Sequence, residues 1–403
     1  MNTIEIMDNL FWCGVFDPNL RVFDIVIPTE KGTTYNSYLI IGNNKKALIE
    51  ASKLNFKQDY LRNVEEICPI KEIDYIVLNH TEPDHSGTLP TIVDINPDIE
   101  VIYSKTAKNF VDNILNRTYK GKAVGDNDEV DLGGLTLQFF HTPFLHWPDT
   151  MFTYLKEYKV LFPCDFLGAH YCDSKLFNDK VINKVEAYDA FKYYYMCIMR
   201  PFKDHILNAF KQIANIDIKI ICPSHGPILR ENLDDYMNFY KKQAERYNLR
   251  RESKQAIIIY ASAYGNTKKL AEKIYKGIAD NGIKVKIFDA SNCNMTDLIN
   301  EIEISEGILI GTATINAKAP KPIFDIFSNM VVLNVAGRIA GVFGSYGWSG
   351  EGIRICEDIM RTMRMKTPLE SFKVKMTPSE KELNNAYAWG SEFGISLLNS
   401  NNM

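Results

Sequence analysis

The stretch Asp74-Tyr75-Ile76-Val77-Leu78-Asn79-His80-Thr81-Glu82-Pro83-Asp84-His85-Ser86-Gly87 runs from an unbroken apolar segment into a polar loop that contains a proline. A short apolar run bounded by polar residues reads as a buried strand, and the proline and glycine after it mark the loop. At the strand's end two imidazoles and two carboxylates fall within six residues, so short side chains can converge on metal ions there.

Further groups of the same chemistry lie downstream, each after an apolar run or in a proline-bearing turn. They are His146 in Thr142-Pro143-Phe144-Leu145-His146-Trp147-Pro148-Asp149, Asp165 in Phe162-Pro163-Cys164-Asp165, and His225 in Cys222-Pro223-Ser224-His225-Gly226. The supply is four histidines and three carboxylates, namely His80, Glu82, Asp84, His85, His146, Asp165 and His225, which is more than one ion needs. If Asp165 bridges, each of two ions receives two histidines, one terminal carboxylate and one shared oxygen, with positions left open for small ligands. Nitrogen and oxygen donors without thiolate favour non-haem iron or manganese, and zinc accepts the same ligand types. Of the remaining histidines, His141 reads as a supporting or merely packed residue, and His170 and His205 as ordinary surface or partly buried ones.

Around this loop, strands are expected at 22–27, 37–41, 100–103, 135–141, 159–162 and 218–222, with a helix near 56–68. Strands interspersed with helices suggest a layered α/β or αββα domain over 1–250. The segment 241–254 is dense in charge and marks a boundary. Its Lys241, Lys242, Arg246, Arg250 and Arg251 read as a solvated interdomain helix, with docking of an acidic partner as the other use. From 254 to 403 the rhythm alternates strictly: strands at 256–261, 285–288, 307–310 and 338–343, and helices from 267, near 295–302, 322–330 and 352–364, and over 380–398. That alternation means a doubly wound parallel sheet.

After its first strand comes Ser262-Ala263-Tyr264-Gly265-Asn266-Thr267, a compact nest of small and hydroxyl residues opening a helix, suited to an anion. It lacks the lysine of a nucleoside-triphosphate loop. Two more loops follow the third and fourth strands: Thr312-Ala313-Thr314-Ile315-Asn316-Ala317, and Gly344-Ser345-Tyr346-Gly347-Trp348-Ser349-Gly350. Ligands of such sheets bind outside the carboxyl ends of the strands, where these loops lie.

The order H-x-E-x-D-H, then His146, Asp165 and His225, resembles the metallo-β-lactamase-like domain of flavodiiron proteins (A-type flavoproteins). Glu82 stands where the related hydrolases carry a second histidine, and a hard anionic oxygen there suits a redox-active iron pair better than zinc. The resemblance implies His80, Glu82, His146 and Asp165 on one iron, and Asp84, His85, Asp165 and His225 on the other. The three later loops are similar to those of flavodoxin. That likeness implies an FMN phosphate on Ser262, Ala263, Tyr264, Gly265, Asn266 and Thr267. Thr314, Ile315, Asn316, Ala317, Ser345, Tyr346, Gly347, Trp348, Ser349 and Gly350 would lie beside the ribityl chain and isoalloxazine.

The fold implied is an N-terminal metallo-β-lactamase-like αββα domain followed by a flavodoxin-like doubly wound domain. The function implied is a reductase that passes electrons through FMN to a non-haem di-iron centre, taking dioxygen to water and/or nitric oxide to nitrous oxide. In the run Tyr193-Tyr194-Tyr195, Tyr195 is the expected catalytic proton donor. A metal-dependent hydrolase with a fused flavodoxin redox module is the alternative, and a pure electron carrier a third reading. Family likeness also implies rubredoxin or another external electron donor, a reduced deazaflavin coenzyme being the alternative, and a head-to-tail homodimer or dimer of dimers.

Composition narrows the rest. The 403 residues carry 46 basic against 50 acidic side chains, a net charge of −4, with no general basic field for nucleic acid. No apolar run reaches the roughly 18 residues that span a bilayer, and the acidic N-terminal segment is unlike a secretory signal. Eight cysteines are scattered without a C-x-x-C pair, which suits reduced thiols in a cytoplasmic protein and leaves no built-in rubredoxin.

Overall fold

A computed structural model describes residues 3–25 and 27–400, with the side chains of 246–253 outside the description. The chain separates into two compact units, Met1–Ala244 and Glu245–Met403.

In the first unit a seven-stranded sheet runs in the order Ile4–Met7, Leu10–Trp12, Tyr38–Ile41, Lys46–Ile49, Tyr75–Leu78, Glu100–Ser104, Lys120–Val124. A five-stranded sheet runs Glu129–Asp131, Thr136–His141, Met151–Leu155, Val160–Phe162, Ile220–Ile221. The strand that decides the fold is buried on both faces, which is why its run is unbroken. Val77 packs with Trp12, Tyr38, Leu137, Phe139 and Phe162 between the sheets. Ile76 and Leu78 point the other way, into a cluster with Tyr60 and Val64 of the helix Lys57–Ile67 and Ile92 of the helix Leu89–Ile95. Two such layers make the αββα sandwich. The edge strand Lys120–Val124 was not among the expected strands, because four of its five residues face water and it carries no apolar alternation.

In the second unit five parallel strands lie in the order Val285–Asp289, Ala256–Tyr260, Gly307–Ala313, Ile339–Tyr346, Phe372–Lys375. Ile257 and Ile259 pack on one face of the sheet, Ala256, Ile258 and Tyr260 on the other, so helices cover both sides. The chain enters on Ala256–Tyr260, steps out to Val285–Asp289 and returns to Gly307–Ala313 on the other side, and the gap between Ala256–Tyr260 and Gly307–Ala313 is the topological switch point of a flavodoxin-like sheet. The edge strand Phe372–Lys375 is an addition to the expected set, its two lysines alternating with apolar residues. The charged segment 241–254 lies mostly in the helix Leu233–Ser253. Lys241 lays its ammonium over the Phe210 ring at 4.8 Å, whereas Arg246, Arg250 and Arg251 fall outside the described side chains. No helix among the described residues is long and apolar enough to cross a membrane.

Candidate functional site

The loop after Tyr75–Leu78 is fixed before its histidines are placed. Asn79 donates from its side chain to the Phe162 carbonyl at 3.2 Å, accepts from the Thr153 hydroxyl at 2.7 Å, and donates its backbone N–H to Glu50 Oε1 at 3.0 Å. Pro83 then opens a single helical turn, Pro83–Ser86, as its fixed φ favours. The turn is closed by the Ser86 hydroxyl donating to Thr81 O at 2.8 Å. Asp165 follows Val160–Phe162 through Cys164, whose φ of +54° turns the chain sharply. His225 is held from the far end of the domain. Its Nδ1 lies 2.7 Å from the Thr34 carbonyl, so that nitrogen carries the proton and Nε2 keeps its lone pair. Gly226 beside it has φ +78°, and a Cβ there would come within 2.4 Å of the Ala169 carbonyl oxygen, so only glycine fits.

These elements bring all seven expected metal residues together. Asp165 divides its two oxygens between two groups. Oδ2 lies 3.2 Å from His146 Nε2 and 3.5 Å from His80 Nε2, with Glu82 Oε2 3.0 Å from His146. Oδ1 lies 3.2 Å from His85 Nε2 and 3.4 Å from His225 Nε2, with Asp84 oxygens 3.3 Å and 3.2 Å from the same two rings. His80, Glu82, Asp84, His85, Asp165 and His225 are buried, and His146 is half-buried.

Burial works against an ionised Asp165, yet the imidazoles of His85 and His80 hold its carboxyl well below the usual range. Burial opposes Asp84 as well, and His85 and His225 still hold it low. On the imidazole side burial lowers His85, but Asp84 and Asp165 carry it well above its ordinary value. Burial likewise opposes protonated His146, and the nearby carboxylates of Asp165 and Glu82 bring it to about 10. His80, with burial and His85 both against it, falls well below. A cluster of this kind stores protons that bound cations displace.

The fit to metal rests on orphaned atoms. His80 Nε2, His85 Nε2, His146 Nε2, His225 Nε2, Glu82 Oε2, both Asp84 oxygens and Asp165 Oδ1 are buried without a hydrogen-bond partner. Buried polar groups are rarely left so. Three donor groups could hold an ion: Asp84, His85 and His225; Glu82, His146 and Asp165; and His80, His85 and Asp165 with Cys164, whose thiol burial pushes well above its ordinary value and so keeps protonated.

Three further residues lie beside this cluster. His170, expected as an ordinary residue, is buried at 4% exposure, its ring 5.4 Å from His225 and its Nδ1 3.0 Å from the Thr33 hydroxyl. Phe23 covers both rings, at 4.4 Å from His170 and 5.6 Å from His225. No local pattern marks His170, since its partners come from the distant segments around Phe23 and Thr33. The tyrosine run divides around its helix. Tyr195 packs its ring on Tyr240 at 4.7 Å and Phe239 at 5.6 Å. Tyr194, one residue earlier in the helix Lys184–Tyr194, lies 4.8 Å from His170 and 6.2 Å from His225, and its buried hydroxyl has no hydrogen-bond partner. His141 and His205 line a surface cavity of about 420 Å³ with Asp126 and Gln212.

Glu50 is a buried acid that the sequence did not single out. It sits behind Asn79 with its carboxyl pushed up to about 8, from an ordinary 4.5, by burial. An acid whose folded pKa is raised keeps its proton while the unfolded chain loses it, so stability falls as pH rises from about 4.5 to about 8. Glu50→Gln, permanently uncharged and of the same shape, is expected to remove that slope. Urea unfolding of chelator-treated protein across this pH range should show the variant gaining on wild type as pH rises. Parallel stability curves would contradict it.

In the second unit the three expected loops follow three neighbouring strands. Ser262, Ala263, Tyr264, Gly265, Asn266 and Thr267 lead into the helix Asn266–Ala279, whose N-cap is Gly265; the Ser262 hydroxyl accepts the Lys268 N–H at 3.3 Å, and the Asn266 and Thr267 N–H groups lie in the first turn, where an anion is favoured. Gly265 has φ +82° with open space around it. Thr267 Oγ1 meets Ser345 Oγ at 2.9 Å and so ties the first loop to the third. Thr314 accepts the Gly352 N–H at 3.3 Å, and Asn316 and Ala317, at φ +49° and +59°, make the tight turn closed by Ile315 and Lys318. Tyr264 and Trp348 are exposed, at 93% and 77%. Tyr346, Gly347, Ser349 and Gly350 complete the third loop.

Residues 33–226 match the family model described as ODP family beta lactamase, and residues 258–390 match flavodoxin. Over 401 residues the chain is 38% identical to the flavo-diiron protein FprA2 of Clostridium acetobutylicum, spanning 98% of this chain and 100% of that one. It is 32% identical over 392 residues to a nitric oxide reductase of Moorella thermoacetica, spanning 96% and 97% of the two. Among solved structures, the rubredoxin oxygen:oxidoreductase of Desulfovibrio gigas matches 100% of both chains with a TM-score of 0.72 at 26% identity. With both domains in this order, and relatives above 30% identity along nearly its whole length, the chain belongs to the flavodiiron proteins, or type A flavoproteins.

Proposed function

We propose that the protein is an oxidoreductase that passes electrons through FMN to two non-haem irons, reducing dioxygen to water and/or nitric oxide to nitrous oxide. The observation that carries this reading is the division of Asp165 between two histidine pairs, each completed by its own carboxylate. His80, Glu82, His146 and Asp165 hold one iron, and Asp84, His85, Asp165 and His225 the other. This donor set, hard oxygen and imidazole without thiolate, suits iron. Flavin and irons together supply the four electrons that dioxygen needs to become water.

The chain's own groups do the rest. Residues 262–267 would hold the FMN phosphate, and residues 314–317 and 345–350 would hold its ribityl chain and ring. Tyr194 presents a phenol that burial keeps protonated, its pKa well above the ordinary value, so it can donate a hydrogen bond to a small oxygen ligand beside His225. His170 and Phe23 close that side and exclude water. The electron donor is rubredoxin, with a reduced deazaflavin coenzyme as its rival, and the protein works in the cytoplasm. Two chains associate head to tail, alone or as a dimer of dimers, bringing the FMN of one beside the irons of the other.

Reduced protein mixed anaerobically with dioxygen, and separately with nitric oxide, tests the reading. Flavin and iron should reoxidise with one or both gases, yielding water without peroxide or nitrous oxide. Stoichiometric zinc and turnover without reductant would overturn it. For the flavin loop, Asn266→Ala with Thr267→Ala removes the Thr267–Ser345 tie as well as a helix-start side chain. FMN content after gel filtration should fall while iron content stays constant, and equal flavin in variant and wild type would count against the loop.

A further inference from the structure

Thr81 lies between His80 and Glu82, and its hydroxyl turns away from the cluster to a loop far along the chain. It donates to Asp149 Oδ2 at 2.7 Å, across 68 positions of sequence, with Asp149 fully buried. Asp149 is itself anchored. Its carbonyl accepts the Ser104 hydroxyl at 2.7 Å, at the end of the strand Glu100–Ser104. It lies three residues after His146 in the same turn, and Trp147 of that turn stands edge-on to the His80 ring at 5.8 Å. Backbone joins the two segments as well, the Met151 N–H donating to the Asn79 carbonyl at 2.8 Å, but Thr81–Asp149 is the side-chain tie beside the ligands. That one buried bond links the loop of His80 and Glu82 to the loop of His146, the three residues gathered around Asp165 Oδ2.

The two halves of the cluster are supported by different means. His225 is held directly, through its Nδ1 on the Thr34 carbonyl, and the backbone of His85 is tied by its carbonyl to the Ala51 N–H at 2.9 Å. His80 has no such hold on its ring, because its Nδ1 is buried without a hydrogen-bond partner among the described residues. Its loop has to be fixed instead. We propose that Asp149, acting through Thr81, is a positioning residue for one metal ion only, the one assigned to His80, Glu82, His146 and Asp165; this rests on the reading of the cluster as a two-iron site. Without the bond, Glu82 and His146 lose the tie that sets their separation, while Asp84, His85 and His225 keep their own supports. Removing an outer partner of a metal ligand commonly costs about 10–100-fold in affinity, and an effect of that order is expected at one position and not the other.

Thr81→Val keeps the side chain's shape and removes its hydroxyl. Wild-type and variant proteins, loaded with iron and reduced, are mixed with a ferrous chelator and iron release is followed in time. In Thr81→Val one iron should leave about 10–100-fold faster while the other keeps its wild-type rate. Mössbauer spectra of the same samples should show one of two iron signals altered, and Glu82→Ala protein, expected to keep only the other ion, identifies which. Thr81→Ser, which restores the hydroxyl, should release both irons as wild type does. Asp149→Ala should match Thr81→Val, and the double variant should be no worse than either, since both remove the same bond. The proposal is overturned if Thr81→Val speeds both irons or neither, if Thr81→Ser behaves like Thr81→Val, or if the effects at 81 and 149 add. Should Asp149→Ala fail to fold by circular dichroism, the Thr81 variants decide alone. Wild-type protein that takes up fewer than two irons would instead bring down the two-iron reading, and this inference with it.

Discussion

Asp165→Ala is expected to empty both metal positions at once. Its two oxygens are the shared element of the cluster, each within 3.5 Å of two imidazole nitrogens, so one substitution removes a ligand from both ions. The residue is 1% exposed, so water cannot easily replace its side chain. The loss in metal affinity should exceed the about 10–100-fold that a missing outer partner of a ligand costs, and gas reduction should vanish with it. Glu82→Ala and Asp84→Ala each remove a carboxylate from one side only, and one iron per chain should survive in each. FMN content and circular dichroism, unchanged in all three variants, separate loss of metal from loss of fold. Two irons retained in purified Asp165→Ala would end the bridging assignment.

Mixed dimers should regain activity that neither parent has. One parent is Asp165→Ala, lacking irons; the other carries Asn266→Ala and Thr267→Ala, lacking FMN. In a head-to-tail dimer the heterodimer keeps one intact flavin facing one intact iron pair, the other pairing being doubly dead. Co-expression with two different tags and purification through both isolates the heterodimer. Part of the wild-type turnover, up to about half by this pairing argument, is expected. Heterodimers as inactive as either parent, although each chain retains its other cofactor, would rule out transfer between subunits.

The His/Asp/Glu cluster was legible because its first part is local: a strand, a proline turn and a spacing that lets His80, Glu82, Asp84 and His85 converge. Asp165 and His225 each follow a strand of the second sheet, and the loop after a strand is where the sequence signals a site. Tyr194 was harder, because three tyrosines in a row give no phase, and one residue around a helix turns a side chain from the cluster into the core. A wide turn at Tyr195–Met199 adds to the ambiguity. His170 and Glu50 were illegible, since their burial comes from segments far away in sequence. In the second unit the strict alternation of apolar strands and amphipathic helices left little hidden beyond the edge strand, whose lysines mask its apolar face.

The contact between His225 Nδ1 and the Thr34 carbonyl spans 191 residues and closes the ligand set from both ends of the domain. During synthesis the chain emerges from its amino end, so the H-x-E-x-D-H loop and Asp165 leave the ribosome well before His225 does. Until then the second ion has only part of its cage. Non-local closures of this kind form late in folding, and metal binding of this sort is coupled to the fold it completes. With these residues as ligands, capture of the second ion would have to wait for release of residue 226.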